Sequence, residues 1–234
     1  MVGSLRWGIK YAIAHGRGLS VWLAIGISSV LAQNYEITPL IGYRLGGTVK
    51  LGQTSTPITD AHLADSGSFG VSGGYRVESE DGGYNVFAFR WMRQDTHLRF
   101  QQNPMSTIPI PTPYDAYGPG PFRPSIALDH FLGDISHEWE VPDYPHLQPF
   151  ITASFGAARM STPVAASTRF ALGFAAGMNV FPVTRYGFRI KVEYMPIVMA
   201  GEAQRVACAG GCVVILKGGL MNQFEVSLGP AFRF

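Results

Sequence analysis

Asp95, His97, Ser125, Asp129 and His130 carry the side chains from which a hydrolytic site is built. A serine, a histidine and an acid within hydrogen-bond reach can activate a hydroxyl nucleophile. The residues flank a proline-rich stretch, so a loop between them would make neighbours of the two groups. No local motif sets their geometry, however, and a triad is recognised by geometry rather than composition. The same histidines and aspartates fall short of a metal site for the same reason. A second set is larger and better ordered. Arg44, Arg76, Arg90, Arg189 and Lys191, with Glu36, Glu78, Asp134, Glu138, Glu140, Glu193 and Glu225, each fall on the polar phase of a segment that alternates polar and apolar residues. Held on one enclosed face, such charges must pair, because an unpaired buried charge is costly.

The segments that would hold them read as strands. In "NYEITPLIGYRLGG", Tyr35, Ile37, Pro39, Ile41, Tyr43 and Leu45 share one face, and Glu36, Thr38, Gly42 and Arg44 the other. The same period of two recurs in "GSFGVSGGYRVES", "YNVFAFRWMRQ", "IALDHFLGDISHEWE", "LQPFITASFGAARM", "TRFALGFAAGMNVF" and "YGFRIKVEYMPIVM", and in the closing "FEVSLGPAFRF". Eight strands are therefore predicted. A turn-rich stretch is expected from Gly46 to about Ser66, and "EDGG" (Glu80 to Gly83) is a hairpin signal with Asp-Gly inside it. From roughly Gln101 to Pro124 the chain is polar and proline-rich, which forbids a paired strand; Tyr114, Tyr117 and Phe122 are the recognition candidates there. The connections run long, short, long, short, short, short, long. An even strand number with short turns at one end and longer loops at the other is the pattern of an outer-membrane barrel.

Composition bounds the alternatives. Of the 234 residues 47% are apolar and only 15% charged, below the roughly 25% charge of soluble domains. No apolar run of about 18 residues follows the N-terminal region, so spanning helices are not expected. Residues 1–32 have the three parts of a secretory signal: a basic start with Arg6, Lys10 and Arg17, an apolar run from Leu19 to Ala32, and small residues at Val30 and Ala32 before a cleavage point. The barrel domain is then 33–234. Removing those three bases from 18 leaves 15 against 16 acids, which takes away the compositional case for nucleic-acid binding. Cys208 and Cys212, in "CAGGC", read as a local disulfide in an exported chain.

Alternation alone also fits a soluble lipocalin-like barrel. The secretory signal, the bulky aromatics on the apolar face and the final phenylalanine tip the choice to a membrane barrel. "SLGPAFRF", from Ser227 to Phe234, runs polar, any, Gly, any, any, aromatic, any, aromatic. Its Ser227, Gly229, Phe232 and Phe234 resemble the signal that the barrel assembly machinery reads on its clients. With "YEITPLIGYRLGG" and the pair "RFALGFAAGMNVF" and "GFRIKVEYMPI", the chain resembles the small outer-membrane β-barrel family that includes the OmpA transmembrane domain and OmpX. The resemblance implies an eight-stranded antiparallel up-and-down transmembrane barrel in the bacterial outer membrane.

Eight strands enclose a space just wide enough for side chains, so the charges are expected to plug the lumen. Tyr35, Trp139, Tyr186 and Phe234 are expected in an aromatic girdle. The expected role is non-enzymatic and without a cofactor: structural, or surface interaction through outward loops that could meet an extracellular ligand. Expected partners are outer-membrane lipid and lipopolysaccharide, and the assembly machinery during biogenesis. Two alternatives stand beside it: a narrow porin-like channel for small or apolar solutes, and a lipid A acyl-chain-modifying enzyme built on the Ser/His/Asp set.

Overall fold

The computed structural model describes residues 34–50, 58–80, 82–102, 125–162, 166–199, 204–207, 213–216 and 219–234. The expected signal (1–32), the loop residues Tyr114, Tyr117 and Phe122, and the Cys208 and Cys212 pair lie outside the described residues. The strands are β1 (Tyr35–Leu45), β2 (Thr48–Lys50), β3 (Ile58–Leu63), β4 (Ser66–Glu78), β5 (Gly83–Gln102), β6 (Ser125–Trp139), β7 (Leu147–Ser161), β8 (Ala166–Val183), β9 (Tyr186–Val198), β10 (Gln204–Ala207), β11 (Val213–Leu216) and β12 (Leu220–Arg233). Around the ring the order is β1, β4, β5, β6, β7, β8, β9 and β12, and β12 pairs antiparallel with β1 to close it. Closure leaves the wall no free edge.

Two expectations need correction. Part of the stretch from Gly46 to Ser66 is strand. The pairing of Arg44 with Ser66 in β1 and β4 continues as Thr48 with His62 in β2 and β3. β-branched Thr48, Val49, Ile58 and Thr59 favour this extended form, and β3 pairs onward to β5. For the same reason β5 runs to Gln102, well past the predicted end near Gln94. The barrel wall is thus taller at the long-loop end than alternation alone indicates.

At the other end the turns are tight. Between β4 and β5 the Ser79 amide donates to the Gly83 carbonyl at 2.8 Å, and Gly82 sits at φ +81°, where an L side chain is strained. At the closing seam the reason for a glycine is different. A Cβ on Gly229 would lie 1.8 Å from the Pro39 carbonyl oxygen, so only glycine lets β12 approach β1.

The pleat sorts the side chains as the alternation requires. Ile41, Val71, Phe89, Phe131, Phe155, Phe174, Ile190 and Leu228, one from each barrel strand, point outward and are exposed. Tyr35, Trp139, Tyr186 and Phe234 are exposed at the short-turn end. There Tyr35 packs on Tyr75 at 5.2 Å between centroids, and Tyr186 on Phe232 at 6.1 Å. The interior holds the charges.

Candidate functional site

The lumen is the built site of this molecule, and its charges fall into three tiers. Nearest the short turns, Glu36 and Glu138 face Arg76, Arg189 and Arg233. Arg189 lies 3.0 Å from Glu36 and 3.4 Å from Glu138, Arg233 lies 2.9 Å from Glu36 and 3.3 Å from Glu138, and Arg76 lies 3.2 Å from Glu138. Asn179 donates to Glu138 at 2.7 Å, and Gln148 accepts from Arg233 at 2.9 Å. Aromatic faces hold the guanidinium planes: Tyr84 under Arg76, Phe150 under Arg189 and Phe181 under Arg233.

In the middle tier Arg90 donates to Asp134 at 2.8 and 3.1 Å, and to Glu193 at 2.5 and 2.6 Å. Lys191 reaches the same Glu193 at 2.7 Å. β5 and β9 stand opposite in the ring, so Arg90 spans the lumen. A bidentate fork of this kind gives both energy and geometry. The gap beside it is a cavity of about 10 Å³, room for about one water.

The third tier joins Arg44 to Glu225 at 2.5 and 2.8 Å and to the Nδ1 of His130 at 2.9 Å, with Ser68 donating to Glu225 at 3.0 Å. Beyond it Gln94 and Gln223 meet at 3.4 Å. Beyond that pair the lumen is mainly apolar, with Thr96 buried in it. Leu63, Leu98, Ile126, Leu128, Met160, Met195, Ile197, Met199 and Met221 pack into one buried apolar cluster with Ala158, Ala171 and Leu132.

Most of the charges singled out from the sequence line the lumen: Glu36, Arg44, Arg76, Arg90, Asp134, Glu138, Lys191, Glu193 and Glu225 are buried and Arg189 is half-buried. Glu78 is a correction. It keeps the inward phase but ends β4 at the rim, where it is exposed. Glu140 follows the end of β6 and is exposed as well. Two members were missed. Arg233 has the inward phase, which alternation could have shown. His130, expected with the surface set, is instead fully buried in the lumen.

That placement takes His130 out of the Ser/His/Asp set. Asp129 and His130 are adjacent in β6 and so lie on opposite faces of the wall. Asp129 accepts from the Trp91 indole at 3.3 Å outside, while His130 binds Arg44 inside. His97 and Ser125 are register partners on the exposed side, and Asp95 is held by Arg93 at 3.1 Å. The wall separates His130 from Asp129, while His97 and Ser125 stay together on the outer face, where Asp95 is tied to Arg93.

In the β12 octet, Ser227 is buried in the lumen, Gly229 lies at the closing seam, Phe232 packs on Tyr186, and the Phe234 amide donates to Tyr35 at 2.9 Å.

No protein-family model matches the chain, and no curated protein matches it in sequence. Among solved structures it is similar to Neisserial surface protein A (NspA), at 13% identity over 86% of this chain and 97% of that one, with a TM-score of 0.49. It is similar to the outer membrane protein AlkL at 13% identity, over 86% of this chain and 90% of that one, TM-score 0.49. The attachment invasion locus protein Ail of Yersinia pestis matches at 13% identity over 85% and 99%, TM-score 0.37. Likeness at this level carries no functional argument; the barrel rests on its own strand pairing.

Proposed function

We propose that the chain is a bacterial outer-membrane barrel with a structural or surface-interaction role, non-enzymatic, its lumen closed and its longer loops outward. The observation that carries this is the inverted polarity. Each barrel strand leaves apolar side chains exposed, while the guanidinium and carboxylate groups are tied to one another inside. In water so continuous an exposed apolar belt is a liability. In hydrocarbon it is the required surface, and a closed sheet satisfies every backbone donor and acceptor. Arg90 spanning to Glu193 supports a plug over a channel, because an ion would have to displace a paired, bidentate contact. The loops and the lipopolysaccharide leaflet around them are the proposed contacts. Ser227, Gly229, Phe232 and Phe234 are the proposed signal for the assembly machinery.

Two measurements test the reading. Before boiling, the membrane-fractionated protein should migrate faster on a denaturing gel than after, and a chain lacking Phe234 should give a weaker fast band. Reconstituted in planar bilayers, it should show no steady unitary conductance. A soluble, heat-insensitive protein would overturn the membrane reading; stable conductance steps would overturn the plug.

A further inference from the structure

Within the dry part of the short-turn tier the charges do not balance. Among the described residues, Arg76, Arg189 and Arg233 pair only with Glu36 and Glu138. The middle tier pairs Arg90 and Lys191 with Asp134 and Glu193, and the third pairs Arg44 with Glu225. Among the described residues of these three tiers the cations exceed the carboxylates by one, and the excess sits at the end of the lumen that opens. The short-turn mouth is a cavity of about 860 Å³ whose wall includes Arg76, Arg185, Arg233 and His146. Acidic groups on the same wall are Glu140 and the chain-end carboxylate of Phe234. Neither makes an ion pair with these arginines among the described residues.

Arg76 supplies the second observation. Its side chain is 8% exposed and lines the cavity, and its Nε is buried without a hydrogen-bond partner. A buried guanidinium donor left unmade is expensive. The Tyr84 ring, its centroid 3.9 Å from the guanidinium carbon, holds the plane in place, so the cation that lines the cavity is oriented before any ligand arrives, with the buried Nε–H beside it as a reporter. His146 adds to the set. Its Nδ1 is committed to the Phe181 carbonyl at 3.1 Å, which leaves Nε2 for a ligand. Tyr84, Phe181 and Pro182 give the same cavity an apolar wall.

We infer that the short-turn mouth is a binding site for a small organic oxyanion, a carboxylate or phosphate carried on a compact apolar body. The oxyanion meets Arg76 and Arg233, with Arg185 at the entrance, and the carbon body lies against Tyr84 and Phe181. A planar fork matches either oxyanion. A cavity of this volume suits a whole small molecule rather than a bare ion. The site is reached from the side opposite the long loops, so it is independent of the role proposed for them.

The test uses the folded barrel in dodecyl maltoside, a micelle without phosphate, with phenyl phosphate as probe. The Arg76 Nε–H resonance should shift saturably. Phenol should leave it unmoved, which removes partition of the ring into detergent as the cause. Arg76→Gln and Arg185→Gln should each weaken binding at least fivefold, and Arg93→Gln, on the outer wall, should not. Arg76 is bonded to Glu138, so its replacement can harm folding. Arg185 lies outside the ion-pair network, and its variant keeps the test decisive where the heat-modified gel shows a folded barrel. Inorganic phosphate, and phosphatidylglycerol taken up into the micelles, separate the sources: competition by the first marks a soluble ligand, by the second a lipid headgroup. Absence of a saturable shift, or equal weakening in Arg93→Gln, overturns the site.

Discussion

Between Glu36 and Glu225 the lumen is filled by guanidinium and carboxylate groups, while beyond Gln94 it is filled mainly by leucine, isoleucine and methionine. Both halves sit inside the same wall and both exclude water, yet their tolerance to change differs. The charged half is held by partners that face each other across the ring, so each group depends on one to three others. The apolar half is held by undirected contacts, where the loss of one methyl group is shared among neighbours. Methionine suits it, because a flexible side chain fills an irregular space. The contrast teaches where the barrel is brittle: at the tiers, and least so under the long loops.

The sharpest way to break that contrast is to remove one charge. Glu193→Ala leaves Lys191 without its partner and Arg90 with Asp134 alone, and should cost about 3–5 kcal/mol, read by urea unfolding in lipid vesicles. An apolar change should be milder: Ile197→Val should cost about 1 kcal/mol in the same assay. Removing both members of a pair should approach neutrality. Arg44→Met with Glu225→Leu should stay within about 1 kcal/mol of the parent, although Ser68 and His130 each lose a partner. If this double variant falls as far as Glu193→Ala, the brittleness lies in lumen volume and not in unpaired charge. Outside the wall, Arg93→Ala breaks an exposed pair with Asp95 and should leave the unfolding midpoint unchanged.

How much of this could be read from the chain differs from residue to residue. The face taken by Arg90 or Phe89 follows from the period of two, since successive side chains leave a pleated strand in opposite directions. Glu78 shows the limit: its phase is inward, but phase says nothing about height, and it ends above no wall. His130 shows another. A histidine beside an aspartate and near a serine suggests chemistry, until the same period places Asp129 and His130 on opposite faces.

Strand number, the face of each residue and the exposed aromatic rows were legible in the sequence, because they are local consequences of alternation and turn residues. Which charges meet was not. Arg90 and Glu193 are 103 positions apart, and only ring closure and strand stagger bring β5 opposite β9. The same closure moves Arg233 into the tier of Glu36 and Glu138 and leaves Glu78 outside it. Counted by phase, the lumen charges named from the sequence carry an excess of acid; as folded, the three tiers carry one extra cation among the described residues. The reason is physical: burial decides which charges need a partner, and burial depends on the height and register of the wall.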